Sequence, residues 1–258
     1  MKEPLVSVVI RTCGRPNILE RALNSVHDQT YKNIEVIIVE DGEDISSRLI
    51  AEKYPYLKIS YQNTGEKCGR CRTGNIGMAT ASGRYINFLD DDDFFMPNHI
   101  EILVSHLEKS GFSAAYSIAE ERQVQKASRN PELNMVRRKL IRYRQPYNRL
   151  LLCYMNYIPI QSIMFSRTLY EELGGLDEKL DVLEDWDLWI RYSAHSDFLY
   201  VPEVTSVYHT PYKGRDKHQR ESYLQEASKK ILQKHQQNHM TFTVSQINQD
   251  MDYILNVF

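Results

Sequence analysis

Four consecutive carboxylates, Asp90, Asp91, Asp92 and Asp93, stand in the segment LDDDDFFMP, Leu89 to Pro97. Adjacent carboxylates repel one another, and a folded chain rarely gathers them at a strand end without a compensating cation. Their oxygens suit hard divalent ions such as Mg²⁺ or Mn²⁺, which keep coordination positions for water or substrate phosphates. A solvated acidic turn capping a helix from Asn98 would also explain such a run, but the apolar strand before it weighs against that reading. A second acidic group, Glu40-Asp41-Gly42, follows another apolar run. A carboxylate there can accept hydrogen bonds from a nucleobase edge or ribose hydroxyls. Taken alone, Asp-Gly is explained as a favoured turn pair. The third constellation is GLDEKLDVLEDWDLWIR, Gly175 to Arg191. Glu184 and Asp185 fall in the first turn of an aromatic-rich helix, where a carboxylate can act as general base on a sugar hydroxyl. Acids in a first turn also meet the helix dipole favourably. Asp187 and Arg191, four apart, read as a surface ion pair. Trp186 and Trp189 read as core before sugar-stacking platforms.

The elements that must position these residues alternate between two periodicities. Val6 to Arg11, Ile34 to Glu40, Leu57 to Tyr61, Tyr85 to Leu89 and Ala114 to Ala119 read as strands. Between them, Pro16 opens a helix with Ile18, Leu19, Ala22, Leu23 and Val26 on one face. A short helix runs through Leu49 and Ile50, another spans Arg72 to Ser82 with Gly83 as its cap, and a third spans Asn98 to Lys109. Repeated β-α units predict a mainly parallel sheet with helices on both faces. Ligands of such sheets bind beyond the carboxyl ends of the strands, where Asp41 and the aspartate run both lie. The second half is less regular. A strand is expected over Ile160 to Phe165, a helix over Arg167 to Leu173 ended by Gly174-Gly175, a helix over Glu184 to Ser193 and a strand over Val204 to Tyr208. From Asp216 the chain reads as charged helix, ending in an apolar stripe of Val244, Ile247, Met251, Ile254 and Phe258.

The 258 residues suffice for one large α/β domain with an elaborated second half. The net charge of −2 gives no global basic field, so nucleic acid is not an expected partner. No apolar run approaches the ~20 residues needed to span a bilayer. Met1 to Pro4 leads directly into a strand-like run rather than a signal peptide. Four scattered cysteines, Cys13, Cys68, Cys71 and Cys153, suit a reducing, cytoplasmic setting better than a disulfide framework. Cys68-Gly-Arg-Cys71 precedes a helix as redox pairs do, yet no second pair completes a zinc site. The basic stretch Arg137 to Arg149 reads as a solvated helix face or as a site for a phosphorylated acceptor or anionic lipid heads.

Taken in order, VSVVIRTCGRP, VEDGE, NIGMATASGRYINFLDDDDFF and EDWDLWIR resemble glycosyltransferase family 2, over roughly Val6 to His209. Four ordered motifs are far more specific than any one of them. The resemblance implies a GT-A fold: a Rossmann-like nucleotide-binding half with a mixed, mainly parallel sheet (residues 1–120), an acceptor-binding catalytic half (121–215) and a C-terminal helical segment (216–258). It implies a nucleotide-diphosphate sugar donor, a glycan or lipid-linked acceptor in polysaccharide assembly, inversion at the anomeric carbon, and Mn²⁺ or Mg²⁺. Arg11, Thr12, Arg15 and Asp41 fall on the nucleobase pocket, Asp91 near the ribose, and Asp90 and Asp92 on the DxD motif, with Asp92 the principal metal ligand. Asp185 falls on the catalytic base, Glu184 on its acidic neighbour, and His209 on a further metal ligand. Cys13 stands where an aromatic is frequent, Glu40 replaces a common Asp, and Gly74-Asn75 replaces a frequent Arg-Asn pair, so Arg70 or Arg72 is expected to meet the diphosphate. Such a chain would work in the cytoplasm or at the inner face of a membrane, with peripheral membrane association and homo-oligomerisation both open. The rival readings are a nucleotidyltransferase, for which TCGRP is a poor first loop, and a non-catalytic sugar-nucleotide-binding subunit, against which Asp92 and Asp185 argue.

Overall fold

The computed structural model describes residues 3–127 and 130–257. The start of the chain at Met1 and the last member of the apolar stripe, Phe258, lie outside the described residues. Strands β1 (Val6–Thr12), β2 (Ile34–Glu40), β3 (Ile59–Asn63) and β4 (Tyr85–Asp90) pair in parallel in the order β3-β2-β1-β4. The chain thus steps outward from β1 to β3 and returns to the other side of β1 as β4. That reversal leaves a crevice between the carboxyl ends of β1 and β4, the usual place for a ligand in an open α/β sheet. Beyond β4 the sheet becomes mixed. It continues through β8 (Ile163–Ser166), β6 (Ala114–Ala127), β9 (Leu199–Pro211) and the two-residue β5 (Phe94–Phe95), while β7 (Asn130–Ile141) pairs antiparallel with the far half of β6.

Alternation along the strands divides the core into two layers, because successive side chains point to opposite faces. Val8, Ile10, Val36 and Ile38 pack with α1 (Pro16–His27) and α4 (His99–Ser110) through Leu19, Leu23, Ile100 and Leu103. Val9, Ile37 and Val39 face α3 (Arg70–Thr80) and α7 (Glu184–Ser193), where Met78, Trp186 and Trp189 lie. Helices α2 (Ser47–Lys53), α5 (Arg149–Tyr154), α6 (Arg167–Leu173), α8 (Arg215–His235) and α9 (Val244–Val257) complete the described chain. Two glycines let α3 lie close on the sheet. A Cβ on Gly77 would stand 2.3 Å from Val9 Cγ1, and one on Gly74 would stand 2.6 Å from Leu176 Cδ1 and 3.5 Å from Arg11 Cδ.

Several local expectations are corrected. The basic stretch is not a helix: Asn130–Ile141 is a strand, and its residues are held by long-range pairing with β6. Gly83 does not cap α3, which ends at Ala81 in an extended conformation. Gly83 is small for another reason, since a Cβ there would stand 2.7 Å from Ser7 N and 2.8 Å from the Leu5 carbonyl. Asp187 and Arg191 are not a surface pair: Asp187 is fully buried and also meets Lys234 and His235 of α8. Ile160–Ser162 is a single 3₁₀ turn leading into β8.

Candidate active site

Arg11, in the last turn of the β1 ladder, sits opposite Asp90 of β4 at the crevice. It is 5% exposed. Its Nε and Nη2 donate to Asp90 Oδ1 and Oδ2 at 2.8 and 3.0 Å, and its Nη1 donates to Glu184 Oε1 at 2.8 Å. The Phe88 ring lies beneath the guanidinium, 5.4 Å away. A buried cation is costly unless it is paired and hydrogen-bonded. Burial works against the charge of Arg11, but Asp90 and Glu184 more than offset it and its pKa rises. Burial likewise opposes ionisation of Asp90, and Arg11 with Arg70 overcomes it, holding that carboxyl below the usual range. One arginine therefore ties the first strand, the acidic run and the start of α7 into a single unit.

The four aspartates take four different environments. Asp90 is bound bidentately by Arg11. Asp91 is buried, accepts from Thr12 Oγ1 at 2.7 Å and from Arg15 Nε at 3.1 Å, and makes a further short contact with Arg15 Nη2. Burial pushes its carboxyl up to about 6, with Arg15 pulling the other way. Asp92 is the accessible one: its side chain is 39% exposed, with Arg15 Nη1 at 3.6 Å from Oδ2. Asp93 is buried and accepts from the His209 backbone N–H at 2.9 Å. Burial, with the negative charges of Asp92 and Asp90, raises its carboxyl well above the ordinary range. His209 Nδ1 stands 3.4 Å from Asp93 Oδ1, is buried, and makes no hydrogen bond among the described residues. Burial lowers the pKa of His209 to about 4, so the ring is neutral near pH 7.

The other wall is the start of α7. Leu183, just before the helix, has φ 58° and ψ 23°, the one non-glycine left-handed residue among those described. Such a conformation costs of order 1–3 kcal/mol and persists where the surroundings impose it. Here it turns the chain so that the two acids diverge. Glu184 is 3% exposed and points to Arg11, with Arg70 Nη1 3.7 Å away. Asp185 is half-buried and accepts from Asn156 Nδ2 at 3.0 Å and from the Trp186 backbone N–H at 2.8 Å. Burial, then the charge of Glu184, pushes the Asp185 carboxyl up to about 7. Trp186 and Trp189 are core, donating to the carbonyls of Leu152 and Ile158.

Arg11, Asp90, Asp92, Glu184, Asp185 and His209 line one open cavity of about 350 Å³. Of the other expected residues, Thr12, Arg15 and Asp91 bond to one another beside it. Asp41 accepts from the backbone N–H groups of Cys68 and Gly69, tethering the loop that leads to α3. Arg70, not Arg72, lines the cavity, and Arg72 is exposed. Glu40 is fully buried and receives Gly14, Ser46 and Tyr61, so it braces the loops instead of facing a ligand. Cys68 and Cys71 are free thiols, and burial pushes Cys71 up to about 12, which removes the thiolate that redox or zinc chemistry needs. Sequence reasoning took Asp93 only as a member of the acidic run and missed Asn156 and Gln161. Gln161 lines the cavity at 1% exposure, and its Nε2 has no partner among the described residues. No three His, Cys, Asp or Glu side chains among the described residues converge as a ready-made metal cage.

The sequence profile described as glycosyl transferase family 2 matches residues 7–174. The uncharacterised glycosyltransferase YwdF of Bacillus subtilis is 32% identical over 204 residues, 79% of this chain and 73% of that one. The putative colanic acid biosynthesis glycosyl transferase WcaA of Escherichia coli is 28% identical over 80% of this chain and 72% of its own. The chain spans between 62% and 73% of the length of the first relatives it matches. Among solved structures, the mannosyltransferase PcManGT from Pyrobaculum calidifontis, in complex with GDP-Man and Mn²⁺, superposes with a TM-score of 0.60 at 16% identity, over all of this chain and 82% of that one. The mixed, mainly parallel sheet flanked by helices is thus the GT-A fold. Its site stands at the strand-order reversal, and the family profile runs through β1, Asp41, the aspartate run and β8: this chain belongs to glycosyl transferase family 2.

Proposed function

We propose that the chain moves a sugar from a nucleotide-diphosphate donor to an acceptor hydroxyl by one inverting displacement, with Asp185 as general base. The observation that carries this reading is the split of the acid pair. Glu184 is spent on Arg11, whereas Asp185 faces the cavity with only neutral donors on its oxygens. A carboxyl raised to about 7 is matched to taking a proton near neutral pH. The acceptor hydroxyl gives its proton to Asp185 as its oxygen bonds to the anomeric carbon. The bond from that carbon to the diphosphate oxygen breaks, and the electron pair leaves with the diphosphate. Attack from the face opposite the leaving group inverts the centre. Asn156 and the Trp186 N–H fix the direction of the carboxylate, which supplies orientation.

The donor nucleotide belongs at the carboxyl ends of β1, β2 and β4, with Arg11, Thr12, Arg15, Asp41, Asp90 and Asp91 around it and Arg70 toward the diphosphate. The residues present suit a divalent ion. Asp92 is accessible and only loosely paired, and His209 offers a buried, unfilled, neutral nitrogen. Oxygen-rich sites of this kind favour Mg²⁺ or Mn²⁺. Asp92 and His209 would hold the ion, while Asp90 is engaged by Arg11. Once bound, it would supply Lewis-acid stabilisation of the charge growing on the diphosphate. Mn²⁺ in PcManGT and the name of WcaA support a metal-assisted role in polysaccharide or other glycan assembly. No helix among the described residues is long and apolar enough to cross a membrane.

The test is to identify the donor by slow hydrolysis across a panel of nucleotide sugars, then to read the new linkage by NMR. A configuration opposite to the donor's is expected. A product that retains configuration overturns the proposal.

A further inference from the structure

The cavity has a second chemical character on the side away from the aspartates. Arg142 follows β7, and Lys217 and Arg220 lie in the first turns of α8; all three line the cavity together with Glu121 and Glu221, and Tyr143 lies within electrostatic reach of Arg142, Arg220 and Asp185. Arg142 is held from behind by Glu121. That carboxylate is 1% exposed and accepts from Arg142 Nη2 at 3.2 Å, from Arg142 Nε, from Thr210 Oγ1 at 2.7 Å and from Tyr208 at 3.2 Å. Glu121 is therefore spent on aiming the guanidinium, whose side chain remains 46% exposed. Lys217 has only Glu221, at 3.8 Å. Arg220 is exposed and makes no ion pair or hydrogen bond among the described residues. Arg138 stands opposite the cavity-lining Gln123 in the β6–β7 ladder, so the basic row continues outward along the hairpin.

Arg220 has no counter-ion among the described residues, Lys217 is only loosely paired, and Arg142 keeps an exposed edge; gathered from two separate elements at one cavity, these cations repel one another. A low-dielectric cleft concentrates their field and draws in an anion. Arginine forks match phosphate oxygens in a bidentate geometry, and two of these three cations are arginines. We propose that this wall is a phosphate subsite for the acceptor: the sugar or polyol that gives its hydroxyl to Asp185 carries a phosphate mono- or diester, which Arg142, Lys217 and Arg220 bind. The inference rests on the reading of Asp185 as the acceptor-side base. The phosphate belongs to the acceptor itself and not to a surrounding lipid surface.

The test uses the full chain, with saturating nucleoside diphosphate to occupy the donor end, and compares glycerol 3-phosphate with glycerol as probes by calorimetry. Glycerol 3-phosphate should bind, glycerol should not, and the affinity should fall with added salt. Arg142→Gln and Arg220→Gln should each weaken binding about tenfold, equivalent to about 1.4 kcal/mol. Arg137→Gln is the control, because Arg137 is exposed, bonds Gln125 and does not line the cavity. It removes the same charge and should leave the affinity within about twofold, a shift of less than 0.5 kcal/mol on the same scale. Absence of glycerol 3-phosphate binding, or an equal loss in Arg137→Gln, overturns the subsite. So does the case in which only vesicles containing phosphatidylglycerol bind, and bind through Arg142 and Arg220, because the occupant is then a membrane headgroup. Nucleoside diphosphate affinity is measured in the same series. A chain that binds no nucleoside diphosphate but binds glycerol 3-phosphate as described loses the donor reading and keeps the anion subsite.

Discussion

Replacing Asp187 by Asn separates the start of α7, the proposed site of chemistry, from the part that holds α8 in place. Asp187 is fully buried two residues beyond Asp185. Its carboxylate meets Lys234 Nζ at 2.6 Å, His235 Nε2 at 2.8 Å and Arg191 Nε at 3.1 Å. Burial opposes its ionisation, but His235, Lys234 and Arg191 more than compensate and hold the pKa well below the ordinary carboxylate range. Breaking a buried ion pair by removing one partner costs about 3–5 kcal/mol. Here Lys234 retains Asp177, and Arg191 retains the carbonyls of Leu173 and Gly175, which points to the lower end, about 3 kcal/mol. For a chain of this size that is a loss of about 6–12 °C in Tm. A depressed pKa stabilises the fold fully above the unfolded value of about 4, and that stabilisation is lost as pH falls through the lower folded value. The gap between wild type and Asp187→Asn, read by urea unfolding, should be constant from about pH 5 to 8 and should narrow below about pH 4. Because the first turns of α8 carry Lys217 and Arg220, the variant should also raise the acceptor KM while leaving nucleoside diphosphate affinity unchanged. A loss below about 1 kcal/mol, as for an exposed pair, refutes the reasoning.

Other outcomes follow from the same geometry. Chelation should abolish transfer and Mn²⁺ or Mg²⁺ should restore it, with Asp92→Ala losing metal-dependent nucleoside diphosphate binding while melting like wild type; full turnover in excess chelator sinks the metal reading. Asp41→Ala should raise the donor Kd, and unchanged affinity by calorimetry would leave Asp41 as only the tether of Cys68 and Gly69. The base must be ionised to act, and the Asp185 carboxyl is raised to about 7, so kcat should climb as pH passes about 7 and then level off. A profile already flat below about pH 6 contradicts the assignment.

The parallel half of the sheet was legible because its strands are apolar, β-branched runs and its breaks carry Gly and Asp. Reversal of strand order around β1 then puts Arg11 against Asp90. What was not legible depends on contacts distant in sequence. In β7, the adjacent charges of Arg137, Arg138 and Lys139 hide any alternation, and pairing with β6 makes the strand. In β9, Pro202 masks a 13-residue strand, because it sits at an irregularity where the register with β6 shifts by two residues. Asp93 looks like its three neighbours in sequence, and only its burial beside His209 sets it apart. Asn156 and Gln161 lie in an irregular segment with no motif, and they reach the cavity where the 3₁₀ turn Ile160–Ser162 packs on β4 through Asn87. The acid pair was legible as a pair, but which member is tied up in an ion pair depends on Arg11, 173 residues away from Glu184 in the chain.

The most direct measurement is kcat for Asp185→Asn beside Glu184→Gln, using the donor found by hydrolysis and an acceptor that gives a defined linkage. Asparagine keeps the shape and the bond from Asn156 but cannot take the proton. The account predicts a fall in kcat of about 10² to 10⁴ for Asp185→Asn, with donor affinity preserved. Glu184→Gln should lose less in the chemical step and more in stability, because it leaves Arg11 short of one partner. An Asp185→Asn enzyme that turns over like wild type would contradict the account.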